Sequence, residues 1–96
     1  TGDYFVTPYG KMKDWNTSGV TDMSSAFLSK NTFNGDISGW NTSSVTTMLN
    51  MFSGATAFNK DLSGWTVNTN VTTCTDFDTG ATAWVLARPN FTSCTI

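Results

Sequence analysis

Ninety-six residues make at most one domain with one modest core. Only 12% of them are charged, the net charge is −2 and there is no His. A phosphate-binding patch cannot be built from five Lys and Arg, so no nucleic-acid partner is expected, and the commonest general base and metal ligand is missing.

No apolar run approaches the ~20 residues that span a bilayer, so no membrane insertion is expected within this segment. Aromatic residues make up 14% of the chain, which sets it apart from disordered polar sequences. Its polar surface comes from Thr, Ser, Asn and Gly, a composition common among exported proteins. The chain begins at Thr and not at Met, as a mature or excised fragment would.

In chain order, residues 1–14 are expected to cap the N-terminal end. From Trp15 the sequence repeats. Trp15, Trp40 and Trp65 are spaced by 25 and 25, and Phe33/Phe58, Asp36/Asp61 and Ile37/Leu62 by 25. Val20, Val45 and Val71 are spaced by 25 and then 26, as are Met23, Met48 and Cys74, so one extra residue lies between Trp65 and Val71, in a loop. Val20-Thr21, Val45-Thr46 and Val71-Thr72 read as very short strands. Met48, Met51, Phe52 and Ala55 fall at 0, 3, 4 and 7, one stripe of a two-turn helix. Thr47 is placed as its N-cap, with Asp22 and Thr73 equivalent. Gly54 and Gly80 stand where the helix should stop, and Ser29 takes that place in the first repeat. In "FNGDISGW", Gly35 and Gly39 disfavour a long helix, so a tight turn or one helical turn is expected, capped by Asp36 and by Asp61 in the next repeat.

A fixed period of this size signals stacked units that cannot bury their apolar faces alone. Two helices and their connections need ~34 residues in the known helical repeats. The prediction is therefore an α/β fold: a short leucine-rich-repeat-like solenoid of ~25-residue coils, each with one short parallel strand and one short helix, capped at both ends. Its parts are the cap 1–14, repeats over 15–73 and a closing unit over 74–96, in a single domain.

The phrase "FNGDISGWNTSSVTTMLNMFSGATAFNKDLSGW" resembles the repeat of the BspA-like leucine-rich-repeat surface proteins, which include many mycoplasma-type lipoproteins. "YGKMKDWNTSGVTDMSSAF" resembles their usual first unit and "VTTCTDFDTGATAWVLARPNFTSC" a terminal unit, so the resemblance covers roughly residues 8–96. It implies export, surface display, and adhesion or binding of a protein or glycan on a host or neighbouring cell. Two full repeats and two caps make a short array with little concave surface for an extended partner. The alternative is a structural subunit or spacer of a fibre, appendage or virus-like particle, acting through self-association.

Cys74 and Cys94 are the only cysteines, too few for a zinc site without His. A Cys74–Cys94 disulfide is expected over free buried thiols, because the repeats end near Cys74 and the last unit needs closing. A disulfide would staple the tail over the last unit, contribute about 3 kcal/mol and imply an oxidising compartment. Trp15, Trp40 and Trp65 read as stacked core more readily than as a sugar platform, and Trp84 takes the Phe58 position of the last unit. Asp36 and Asp61, with Asn34 and Asn59, could hold calcium, but local capping is the simpler role. No Glu and no nucleophile motif is present, so no enzyme, cofactor or resident metal is expected. The sequons at Asn16, Asn41, Asn70 and Asn90 are glycosylation acceptors only in a eukaryotic secretory pathway. Thr21, Thr46 and Thr72 form a hydroxyl column, with further hydroxyls at Thr17, Thr42 and Thr69. Regular Thr invites an ice-binding reading, against which the strands are short and the Thr pairs do not strictly alternate. The candidate binding strip is Thr21, Thr46 and Thr72, with Asn41 and Ser43 at its edge.

Overall fold

In the computed structural model, which describes residues 14–96, successive repeats lie side by side in the register set by the sequence period. Thr46 N–H donates to the Thr21 carbonyl and Thr72 N–H to that of Thr46. One residue on, Asp22 forms a parallel bridge with Thr47, and Thr47 with Thr73. The N–H groups of Met23, Ser25, Phe27 and Ser29 then donate to the carbonyls of Thr47, Leu49, Met51 and Ser53. Those of Met48, Asn50, Phe52 and Gly54 donate to Thr73, Thr75, Phe77 and Thr79, all eight bonds spanning 2.7–3.0 Å.

This ladder replaces the expected helix. The N–H groups between its rungs close local turns, Met51 to Met48, Ser53 to Asn50 and Ala55 to Phe52, with the same pattern from Ala26 to Lys30. An α-helix directs every N–H along its own axis to the carbonyl four residues back. Here every second one leaves sideways for the neighbouring repeat. Ser25 and Ser29, Asn50 and Gly54 also have φ between 57° and 72°, as type II turns require at their third position and a right-handed helix forbids. Asp76 and Gly80 continue both columns at 55° and 79°. The apolar stripe of Met48, Met51, Phe52 and Ala55 is fully buried, but a run of turns carries it.

Among the described residues there is no α-helix and no strand, and the only β pairing is the two isolated bridges. The predicted α/β leucine-rich-repeat solenoid, with one strand and one helix in each coil, is therefore corrected to a layered set of turns without a sheet. The Val-Thr pairs are too short to extend a strand, and the Ser, Asn, Asp and Gly at the left-handed positions break a helix. Asp22 and Thr47 cap turns and not helices: Asp22 Oδ1 accepts from Ser24 N–H at 2.8 Å and Thr47 Oγ1 from Leu49 N–H at 3.4 Å. The expected N-terminal cap, apart from Asp14, lies outside the described residues.

The centre is a file of rings. Phe27 stacks on Phe33 at 4.3 Å and Phe52 on Phe58 at 4.4 Å, and Phe27 meets Phe52 at 5.3 Å. Trp84 stands edge-on to Phe58 at 4.8 Å, in the place predicted for it. Truncating a side chain such as Phe52, which has no exposed surface, costs about 3–5 kcal/mol. Trp40 and Trp65 are buried, whereas Trp15 is 36% exposed and stacks on Trp40 at 6.4 Å. Trp65 Nε1 donates to the Ile37 carbonyl and Trp84 Nε1 to that of Lys60, which satisfies both indoles.

The tail closes the last repeat. Leu62 N–H donates to the Ala87 carbonyl, and Phe91 packs edge-on against Phe77 at 5.0 Å. The hydroxyls of Thr92 and Ser93 both donate to the Asn68 carbonyl. Cys94 is disulfide-bonded to Cys74 across 20 residues, with a Cα–Cα distance of 6.0 Å. Arg88 pairs with Asp78 at 2.8 Å and lies 4.8 Å over the Trp84 ring.

Candidate functional site

The Val-Thr segments present Thr21, Thr46 and Thr72 on the surface, all three exposed. Their backbones are tied to one another by the Thr46-to-Thr21 and Thr72-to-Thr46 bonds, 2.9 and 3.0 Å long. Parallel pairing sets neighbouring rows about 4.8 Å apart. The Thr46 hydroxyl donates to the Thr21 carbonyl at 3.3 Å, which fixes its rotamer without burying it. The inner neighbours Val45 and Val71 are fully buried, so alternation along the chain aims the Thr side chains outward. Asn41 and Ser43 are also exposed, but they are not independent: Asn41 Oδ1 accepts from Ser43 N–H at 3.0 Å and from its hydroxyl at 2.6 Å.

Thr17 and Thr42 are not surface hydroxyls. Both are buried, and their Oγ1 atoms donate to the carbonyls of Asn41 and Thr66 in the next repeat. Val67 takes the equivalent place in the third repeat and needs no such bond. The exposed Thr69 belongs to the irregular turn over 68–70.

The other oxygens singled out by the sequence are committed to the fold. Asn34 Oδ1 accepts from Asn59 N–H at 2.8 Å, and Asn59 Oδ1 from the N–H groups of Val85 and Leu86 at 3.0 Å each. Asp36 and Asp61 each accept from the N–H and hydroxyl of the Ser two residues on. Their capping role is therefore as expected, and the four oxygens do not converge as free ligands. Among the described residues no group of three or more His, Cys, Asp or Glu lies together. The Ser63 hydroxyl, followed by its N–H, holds the Asp61 carboxyl below its ordinary range, and the Ser24 N–H does the same for Asp22.

Sequence reasoning missed the recurrence of Asn/Asp-x-Ser, although it is legible. Asn16-Thr17-Ser18, Asp22-Met23-Ser24, Asp36-Ile37-Ser38, Asn41-Thr42-Ser43 and Asp61-Leu62-Ser63 all fold the side chain back on the third residue. Two of the glycosylation sequons, at Asn16 and Asn41, are these turns. A third, Asn70, uses its amide Nδ2 to donate to the carbonyls of Thr42 and Val45, so that nitrogen is not presented for modification. Trp15, beside Asp14, Asn16, Thr17 and Val20, lines a shallow open groove of about 410 Å³. With Trp40 and Trp65 buried, no row of three exposed rings exists among the described residues to form a sugar platform.

These features define a disulfide-closed domain of turn-built repeats with one regular hydroxyl column. A family model described as Mycoplasma protein of unknown function, DUF285, matches residues 5–90, and the chain belongs to that family. No curated protein and no solved structure matches it. Among the described residues no helix is long and apolar enough to cross a membrane.

Proposed function

We propose that this domain is a non-enzymatic module displayed outside the cell, which binds a protein or glycan of a host or neighbouring cell through the Thr21–Thr46–Thr72 column. The observation that carries the reading is that this column is exposed, in register and neutral, while the neighbouring Asn and Asp oxygens are spent on turns. Asn41 and Ser43 form the edge of the strip. The likeness of the repeat to the BspA-like surface proteins supports display, and the Cys74–Cys94 bridge supports an oxidising compartment. A hydroxyl strip without charge recognises its partner by short-range hydrogen bonds, so association is slow to start and weakly dependent on salt.

The test is binding of labelled protein to cultured epithelial cells, before and after enzymatic removal of surface glycans. Thr46→Lys combined with Thr72→Lys places two cations in the strip while leaving the buried Val45 and Val71 untouched. Loss of binding at an unchanged melting temperature is expected. Undiminished binding by the double variant overturns the assignment of the strip.

A further inference from the structure

The repeats are joined by a directional pattern, and among the described residues that pattern is incomplete at both ends. In each internal joint the earlier repeat gives four N–H groups and the later repeat gives four carbonyls, plus one N–H from its Thr in return. Among the described residues, no N–H is donated to the carbonyls of Asp22, Ser24, Ala26 and Leu28, and Thr21 N–H donates to none. At the other end, the N–H groups of Cys74, Asp76, Asp78 and Gly80 have no acceptor among the described residues, and the Thr72 carbonyl has no donor. Among the described residues one edge thus offers four acceptors and a donor, the other four donors and an acceptor, in the same order along the chain.

We propose that the 72–80 edge of one molecule docks on the 21–28 edge of a second copy, joining molecules head to tail. The five bonds run from Cys74, Asp76, Asp78 and Gly80 to the partner's Asp22, Ser24, Ala26 and Leu28, and from the partner's Thr21 to Thr72. They repeat the pattern found twice within the chain, offset by the same equivalences. The outward side chains meet as they do inside: Asp22 falls beside Thr73, and Ser25 beside Asp76, as Asn50 does within one molecule. The edges are accessible over most of their length: Thr21, Asp22, Thr72, Thr73, Thr75, Asp76, Thr79 and Gly80 are exposed and Ser24 and Asp78 half-buried, while Cys74 is buried. The occupant is a second copy and not an ordinary extended peptide, because the donors sit on a chain with left-handed residues at 76 and 80, which a regular strand does not match.

The tail sets the strength. Phe91 and Cys94 cover the apolar end of the third repeat at Phe77 and Cys74, so the joint is confined to the backbone edge. A contact without an apolar core is small and weak. Because the two edges differ, the contact is heterologous and does not close at two; it continues as an open series. The Thr column of each molecule then lines up with that of the next. This inference does not depend on what the column binds.

The test is sedimentation velocity of the oxidised protein at neutral pH, from micromolar to millimolar concentration. The expected result is a weight-average mass that rises past the dimer without a plateau. Ser25→Asp, tolerated at a left-handed position as Asp76 already is, sets two carboxylates against each other across the joint and should weaken association about tenfold, or about 1.4 kcal/mol. Ser25→Asn, matching Asn50, should leave it unchanged. The double variant Ser25→Asp/Asp76→Asn should restore it, with melting temperatures confirming that all three fold. A monomer at every concentration, a dimer that grows no further, or association indifferent to Ser25→Asp overturns the proposal. Loss of cell binding in Thr46→Lys/Thr72→Lys is a separate result, read on monomer.

Discussion

Each repeat has two sides built on different rules. On the ladder side, from Thr46 to Gly54, backbone bonds fix every second residue to the next repeat, and positions hold register from one repeat to the next. On the loop side, from Trp65 to Val71, side chains do the joining. There the period slips by one residue, from the 25-residue step of Trp40 and Trp65 to the 26-residue step of Val45 and Val71. A ladder cannot absorb an extra residue without shifting all its rungs. A loop can, because Asn70 reaches back to the carbonyls of Thr42 and Val45 at 3.0 and 2.8 Å and replaces the lost backbone match with an amide. Regularity is therefore enforced where backbone meets backbone, and variation is admitted where a side chain can reach.

The sharpest way to break the loop side is Asn70. Its replacement by Ala leaves the Val45 carbonyl without its donor in a buried setting, at a cost of about 1–3 kcal/mol. The Oδ1 of Asn70 is itself buried without a partner, so its removal offsets part of that loss. Asn70→Asp should be worse than Asn70→Ala, because it removes both donors and sets a carboxylate against two carbonyls. Urea unfolding of the three proteins checks the order. An Ala variant as stable as the parent would show that the loop holds its register without the amide.

The ladder side breaks through its left-handed column. Gly54 has φ +72°, and a Cβ there meets Ser29 Oγ at 3.3 Å. Gly54→Ala should therefore lose about 1–2 kcal/mol, the cost of a side chain in that region. Ser29 already bears a Cβ at φ 58°, so Ser29→Gly should gain stability, but by less than about 1 kcal/mol, since Gly also adds freedom to the unfolded chain. Thermal melting of both variants reads the pair. Equal and small effects would mean that the ladder tolerates either residue and that the column is not what dictates the turns.

How much of this was legible follows the same division. The period, the one-residue slip, the ring file and the closing Cys74–Cys94 pair all rest on side-chain identity, and the sequence carries them openly. The turn ladder does not. Met48, Met51, Phe52 and Ala55 repeat at helical spacing because a run of overlapping four-residue turns and a helix share nearly the same side-chain period. What separates them is where the backbone N–H of Asn50 or Phe52 points, and no side chain announces that. The clue was the column Ser25, Asn50, Asp76, all residues that accept a left-handed conformation, together with Ser29, Gly54 and Gly80. Taken as helix positions they look like ordinary polar surface; taken as turn positions they explain one another. Thr17 and Thr42 were misplaced for a related reason, since a hydroxyl that bonds the next repeat's carbonyl looks in sequence like one that faces water.

The smallest effect compares the two sides through their carboxylates. Asp22 caps a turn on the ladder side and Asp61 one that leads into the loop side, and in both the Ser two residues on stabilises the charged form. Both folded pKa values are thus lower than the unfolded value of about 3.9, so on acidification the unfolded chain takes up protons first. The stability these turns contribute is present above about pH 4 and is lost as pH falls through the folded values. Asn keeps the accepting Oδ1 without the charge, and Asn16 and Asn41 already make the same turn in this form. Asp22→Asn and Asp61→Asn should each flatten the acid limb of a urea-midpoint profile while leaving its neutral plateau near the parent value. If the cap acts through the oxygen and not the charge, the two variants will match each other on both sides of the repeat. A neutral plateau that falls for Asp22→Asn alone would show that the ladder side needs the full charge at its first turn, where the loop side does not.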